Sequence, residues 1–521
     1  MVRFSASTVS EIQPPKPFNC NSNFTPLERC FSLLKSCSSL KQILQIHVQL
    51  IISGLYGNSC FADEIILLCT SGSIRAKHQI DCINHAHRVA NFYQKLESSS
   101  WNSVIRAYAT SNSGSQREAM RAFLDMRRLG VGPDEHTFPY VFKSCASFSG
   151  LSEGRQVHGD ALKHGCLLNV YVQNSMIHCY GFCKKLMDAY RVFDEMTHIT
   201  LVSWNSMMNV NAECGWFYDS VELFFKMRNS GFVPDETTMV IALSACAEIG
   251  NLSLGKWLHS QVIENGMVVN CQLGTALVDM YGKCGDVVYA SLVFNRMVNR
   301  NIWTWSSMII GFAQHGFARQ ALEIFREMRN HSIKPNHVTF LGVLCACSHA
   351  GLMEDGQRYF TEMEQVHGIK PMMVHYGAMV DMLGRAGHLK DAYDFVMSMP
   401  VEADGVLWRA LLSSCHIHDV NDFSGVSEKV REKLIELEPK RSGNLVMIAN
   451  NYAEVGLWEK AEDLRSKMRD KGLKKIAGES CIEISGTTFR FLSGDNSCFA
   501  CEDIFLLLKI LNLHMKIICL D

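Results

Sequence analysis

Apolar positions recur at helical spacing through most of the chain, in short runs that come in pairs. In "DETTMVIALSACAEIG" (235–250), Met239, Leu243, Cys246 and Ala247 fall on one helical side, which predicts an amphipathic helix. Residues 201–235 predict two helices. Ser203 can cap a helix starting at Trp204, with Met207 and Met208 on its apolar side and Gly215 as a left-handed stop. A second helix carries Val221, Leu223, Phe224 and Met227, until Gly231 and Pro234 turn the chain. Such a pair cannot bury both of its faces alone, so neighbours must stack into a continuous core. Alternating β-branched runs are scarce, and the predicted class is all-α.

The pairs repeat. Trp204 and Trp305, Tyr180 and Tyr281, and the series Asp134, Asp235 and Asn336 are each spaced by 101 residues. Each step holds three shorter units, 201–235, 236–270 and 271–301, of 35, 35 and 31 residues. Periods of this size mark solenoids. One stretch, "GNLSLGKW" (250–257), resembles a phosphate-binding loop, but Trp257 stands where that loop needs a Mg²⁺-binding hydroxyl. A helix rather than a strand precedes it. Gly154, Gly255 and Gly356 also occupy one slot at the 101-residue step, so the turn is architecture.

Composition narrows the chemistry. A formal net charge of −2 over 521 residues argues against a protein that grips polyanions by bulk attraction. Most of the 21 cysteines fall at helix-interior slots, as Cys145 and Cys246 do, where Cys acts as a small hydrophobe. The lone C-x-x-C, Cys498 to Cys501, has no second pair nearby, and His158 and His259 share one repeat slot as packing or polar-face residues. No H-x-E occurs, so the zinc-deaminase signature is missing and neither catalysis, cofactor nor metal is expected. The apolar tail 501–521 carries Lys509, Asn512 and Lys516 on one side, as an amphipathic closing helix does and a bilayer span does not.

The alternation of unit lengths, with "VSWNSMM", "KMRNSGFVPDE", "TALVDMYGKCGDVVYASLVFNRM" and "GVLCACSHAGLMEDGQRYFTEM", resembles the plant pentatricopeptide repeat family and, within it, the PLS subfamily. The resemblance implies a right-handed α-solenoid superhelix. It divides the chain into a targeting segment (1–26), degenerate L- and S-like repeats (27–97), a P-L-S array (98–404), an E-type extension (405–475) and an E+-like segment with a closing helix (476–521). In that last segment Ala477 and Cys481 replace the Pro and Trp usual in the family, and the tail stops where a DYW deaminase domain begins in longer relatives.

The resemblance also implies single-stranded organellar RNA as the ligand, each base chosen jointly by the fifth and last residues of a repeat. Asn102 with Asp134, and Asn205 with Asp235, match the pairing for uridine; Thr275 with Asn301, and Ser306 with Asn336, match that for adenosine. Asn174 with Thr200 gives a pyrimidine preference, and the L units lack a polar fifth residue (Pro139, Val240, Leu341). The expected register from residue 98 is U-x-Y-U-x-A-A-x-x. The family role implied is selection of a cytidine for C-to-U editing, with a DYW-type deaminase or other editing factor recruited in trans through the extension. Stabilisation, processing or translation of a message without editing is the alternative. A peptide-binding adaptor built from tetratricopeptide repeats would show equal units of 34 residues. The N-terminal 24 residues hold several Ser and one acid, as a transit peptide does, without separating mitochondrion from chloroplast; the family resemblance implies a mitochondrion, with the chloroplast as alternative. No membrane or small-molecule partner is expected.

Overall fold

A computed structural model describes residues 32–34, 36–37, 39–54, 59–71, 79–93, 96–111, 114–418, 425–474, 478–484 and 487–492. The predicted transit segment, Cys498, Cys501 and the closing helix lie outside them. The chain forms two compact units, Met1–Val233 and Pro234–Asp521.

Helix starts are written into the repeat. Thr200 holds extended backbone and its side chain accepts from the Ser203 amide, opening a helix over Leu201–Glu213. The start therefore lies three residues before the expected Trp204. Thr200 is the N-cap, and Ser203 is its reciprocating partner in a capping box, because the hydroxyl can serve the N-cap N–H only from that position. The same box opens the helices Glu236–Ile249, Ile302–Gln314 and His337–Ala350. Gly215 and Gly231 stop their helices at φ 82° and 85°, where a Cβ would be strained.

In the first unit, α1 (Leu40–Ile52) precedes the pairs α2 (Ser59–Thr70) and α3 (Gln79–Phe92), α4 (Ser98–Thr110) and α5 (Gln116–Arg128), α6 (Thr137–Ser147) and α7 (Leu151–Lys163), α8 (Val170–Phe182) and α9 (Leu186–Asp194), and α10 (Leu201–Glu213) and α11 (Phe217–Asn229). The first helix of each pair packs on the first helix of the next, from α2 through α10, and the second helices form an outer layer. This is the predicted α-solenoid arrangement.

The second unit repeats it with α12 (Glu236–Ile249) and α13 (Leu252–Glu264), α14 (Cys271–Lys283) and α15 (Val287–Arg296), α16 (Ile302–Gln314) and α17 (Ala318–Asn330), α18 (His337–Ala350) and α19 (Met353–Gln365), and α20 (Met373–Arg385) and α21 (Leu389–Met397). Four helices follow without a break in the core: α22 (Gly405–His418), α23 (Val426–Leu437), α24 (Ser442–Glu454) and α25 (Trp458–Asp470). One buried cluster runs from Tyr376 and Val380 through Trp408 and Leu411 to Ile448 and Met468. The extension is thus packed as a continuation of the repeats.

Two features depart from an all-helical expectation or refine it. Glu479–Ile484 and Thr487–Leu492 form an antiparallel hairpin, with Ile482 opposite Phe489. Each run is short and β-branched or aromatic at alternate positions, a period-2 signal only six residues long. The slot of Gly154, Gly255 and Gly356 is a helix contact: a Cβ on Gly255 would stand 2.3 Å from Met280 Sδ, and one on Gly356 2.4 Å from Met382 Sδ. Lys256 is bound to Asp286 at 2.9 Å, so nothing in this stretch is arranged for phosphate.

The repeated histidines bond to the repeated tyrosines. His158 Nδ1 lies 2.8 Å from Tyr180 Oη, and His259 Nδ1 lies 2.9 Å from Tyr281 Oη. His375 is fully buried; its Nδ1 accepts the Met372 N–H at 3.0 Å and its Nε2 donates to the His337 carbonyl at 2.7 Å. Burial lowers the pKa of His158, His259 and His375 alike, and of His178 as well. The unfolded chain therefore binds more protons, and stability is full above about pH 6.5 and is lost as pH falls below it. The melting temperature should stay level from pH 8 to 7 and drop steadily from 6.5 to 5. A flat melting profile over that range would contradict this assignment.

Candidate nucleic-acid interface

The candidate residues sit where one inner helix meets the start of the next. In the first unit Asn102, on α4, donates from Nδ2 to Asp134 Oδ1 and Oδ2 at 2.9 and 3.1 Å. Asp134 in turn accepts from the His136 and Thr137 amides ahead of α6. Thr137 closes the set, donating its hydroxyl to Asn102 Oδ1 at 2.6 Å. Burial opposes ionisation of Asp134, but hydrogen bonds from Ser98, Asn102, Thr137 and the His136 N–H outweigh it and hold the carboxyl below its usual range. At neutral pH it is an acceptor only, and so dictates which end of the Asn102 amide faces it.

In the second unit the same connectivity appears with hydroxyls. Thr275 Oγ1 lies 2.6 Å from Thr304 Oγ1; the Thr304 amide donates to Asn301 Oδ1 at 3.0 Å, and the Thr304 hydroxyl oxygen lies 3.0 Å from the same atom. Ser306 Oγ lies 2.7 Å from Thr339 Oγ1, which is 3.0 Å from Asn336 Oδ1. Ser306 is only 1% exposed, so Asn336 is the member of that set open to a ligand. Asn205 is buried on α10 in the first unit, and Asp235 caps α12 at the start of the second, accepting from the Thr238 amide at 2.8 Å.

Two pockets open at equivalent places. One, of 360 Å³, is lined by Pro139, Lys143, Tyr171, Asn174, His178 and Val202. The other, of 520 Å³, is lined by Val240, Ser244, Thr275, Asp279, Asn301 and Trp303. Pro139 and Val240, Asn174 and Thr275, and Val202 and Trp303 are 101 residues apart, so one slot is built twice. Asn174 Oδ1, in the first pocket, is a buried acceptor with no partner, while Thr200 is occupied in capping α10. Tyr171 is 76% exposed and Trp303 52% exposed at the rims, so each offers a free ring face.

In two L units the last residue is engaged within the protein. Asn169 Oδ1 caps α8 and its Nδ2 donates to Glu135 at 2.9 Å; Asn270 caps α14 and donates to Glu236 at 2.6 Å. Both ends of the amide are spent inside the protein. Cations along the inner helices differ between the units. In the first, Arg106 and Lys143 are exposed; in the second, Lys283 is bound to Glu248 and Asp279, and Arg385 to Asp381. Among the described residues no His, Cys, Asp and Glu group could hold a metal ion, and no helix is long and apolar enough to cross a membrane. Burial pushes the Cys145 and Cys246 thiols up to about 12, which keeps them unreactive.

Reasoning from sequence missed Thr137, Thr304 and Thr339, which join the two members of each pair, and the exposed rings of Tyr171 and Trp303. A signal existed: a Thr stands three residues after Asp134, Asp235, Asn301 and Asn336.

Comparison with known proteins follows the same pattern. PPR repeat profiles match residues 174–199, 202–232, 275–302, 338–366 and 374–402, and a PPR repeat family profile matches 300–349. An E motif profile matches 424–483. A pentatricopeptide repeat-containing protein of Arabidopsis thaliana is 50% identical over 467 residues, spanning 89% of this chain and 91% of its own length. Another from that plant, named as chloroplastic/mitochondrial, is 36% identical over 502 residues, spanning 94% of this chain and 77% of its own. The crystal structure of the maize pentatricopeptide repeat protein PPR10 in complex with an 18-nt psaJ RNA element shares the fold, with a TM-score of 0.56 at 17% identity over 85% of this chain and 74% of that one.

Proposed function

The chain belongs to the pentatricopeptide repeat family, and on that premise we propose that it is an organellar protein that binds single-stranded RNA and selects a cytidine for C-to-U editing. Base reading falls to Asn102 with Asp134, Asn174 with Thr200, Asn205 with Asp235, Thr275 with Asn301 and Ser306 with Asn336, in the register U-x-Y-U-x-A-A-x-x. The observation that carries this reading is that one hydrogen-bonded set, in which a threonine joins the fifth residue to the last, occurs three times along the inner helices. A free Watson–Crick edge is what such a row of small polar groups suits, and exposed rings beside it suit stacking.

The finer steps rest on the extension. The E motif match over residues 424–483, whose helices α23 to α25 share a core with the last repeat, supports a platform that recruits a DYW-type deaminase or another editing factor in trans. The chloroplastic/mitochondrial relative supports an organelle, and the mitochondrion is the assignment proposed. The repeat array spans 98–404 in this reading and the extension begins at 405.

Gel-shift titration of the purified protein against a 14-nt RNA carrying the register, and against a scrambled RNA, tests binding. At least a tenfold preference for the first is expected. Equal affinity would sink the base assignments. Sequencing organellar RNA from plants lacking the protein tests the editing step: loss of editing at one or a few cytidines supports it, and intact editing with one transcript missing or misprocessed overturns it. Trp303→Ala should weaken binding to every RNA by about 1–3 kcal/mol, since a ring stacks on any base; a loss confined to one base identity would show that Trp303 does not stack.

A further inference from the structure

The fifth and last residues assigned to base reading are joined by a third side chain. We propose that Thr137 and Thr304 are positioning residues that set which hydrogen-bonding polarity each slot presents to its base. The proposal rests on the base-reading role given above. Both residues are fully buried, so neither can touch RNA, yet each lies within 2.6 Å of its fifth residue and 3.0 Å of its last residue.

The polarity follows from counting protons. Around Thr275, the Cys271 carbonyl at 2.6 Å can only accept, so the Thr275 hydroxyl proton points to it. The equally short contact to Thr304 then takes the one Thr304 hydroxyl proton in preference to the longer 3.0 Å approach to Asn301 Oδ1, which the Thr304 amide already serves, and Thr275 is left presenting an oxygen lone pair to the pocket. Asn301 Oδ1 is tied to Thr304 as a cap, which turns its Nδ2 donors outward. An acceptor beside a donor complements a base with an exocyclic amine next to an unprotonated ring nitrogen, as adenine and cytosine have. Uracil and guanine carry a ring N–H there instead and meet the wrong partner.

Around Asn102 the polarity is set by the carboxylate. Asp134 draws the amide nitrogen, and Thr137 donates to the amide oxygen, so the amide cannot turn over. The Asn174 slot shows what happens without the third side chain. Ser203 stands in the equivalent position, its hydroxyl is engaged with the Thr200 backbone N–H and side chain, and Asn174 Oδ1 has no partner.

The test is a competition gel shift with four RNAs that differ only at the nucleotide facing Thr275 and Asn301, using the full chain and its Thr304→Val and Thr304→Ser variants. The intact protein is expected to prefer A and C over U and G. Thr304→Val should cut that preference about fivefold, the worth of one lost hydrogen bond, leave discrimination at the Asn102 position unchanged, and Thr304→Ser should restore it. A Thr304→Val protein that binds all four RNAs more weakly by one common factor would overturn the proposal and leave Thr304 a capping residue only. No preference in the intact protein would overturn the base-reading role itself, and the proposal with it. Thr137→Val, read at its own nucleotide, repeats the test in a second slot.

Discussion

Replacing Asn102, Asn205 and Thr275 together by alanine is expected to remove most of the sequence-selective RNA binding, leaving the part read at Asn174 and Asn336 and the non-selective binding in place. Each side chain faces one base in the proposed register, and one mismatched contact costs about 1–3 kcal/mol in nucleic-acid complexes. Three well-separated slots add, so the cognate RNA should lose about 1,000-fold in affinity. The non-selective component should persist, because Arg106 and Lys143 are untouched and stay exposed. Titration of cognate and scrambled RNA at one salt concentration separates the two parts. A triple variant whose preference for the cognate RNA is undiminished would remove these residues from the reading role. Asp134→Asn alone should act differently. It exchanges an acceptor-only group for one with donors, and so should change which base is preferred at one position rather than weaken all binding.

Much of the architecture can be read from the chain because a repeat tests each assignment several times. The helix Glu236–Ile249 was legible from its apolar side, and the solenoid from the recurrence of Trp204 at Trp305. Cap identity was harder. Ser203 and Thr200 are both good N-caps three residues apart, and only the extended backbone at Thr200 decides between them. The hairpin at 479–492 was missed because six-residue strands carry too little alternation to stand out beside dozens of helical turns. In the interface, the fifth and last residues were found by resemblance, while the buried threonines were not. A Thr at a helix start looks like an ordinary cap, and its second bond, to a residue 29–35 positions earlier, is a tertiary fact. The engagement of Asn169 and Asn270 likewise depends on Glu135 and Glu236, whose proximity no local pattern announces.

The other large effect is predicted in the packing between inner helices, where a glycine after each repeated aromatic or leucine meets a different residue in each copy. Gly181 on α8 faces Val210 on α10, Gly282 on α14 faces Gly311 on α16, and Gly384 on α20 faces Ser414 on α22. A Cβ on Gly181 would stand 2.4 Å from Val210 Cγ2, and one on Gly384 would stand 2.1 Å from Ser414 Oγ. At Gly311 the only neighbour is the Gly282 backbone, 3.3 Å from the added Cβ. The first copy already accommodates a valine opposite its glycine, so Gly311→Val should be tolerated, with a cost under about 1.5 kcal/mol. Gly181→Val instead puts two branched side chains into a space that holds one. Helix α8 must then move off α10, uncovering buried Met176, Tyr180 and Met207, at a cost of about 3 kcal/mol or more. Thermal melts of the two single variants decide the matter. A large drop for Gly181→Val and a small one for Gly311→Val is the expected order; equal drops would show that the close approach does not depend on the glycine of the S unit. Because the inner helices carry the residues proposed to read bases, the same variant should also cost affinity at the base proposed for Asn174, seven residues before Gly181 on α8.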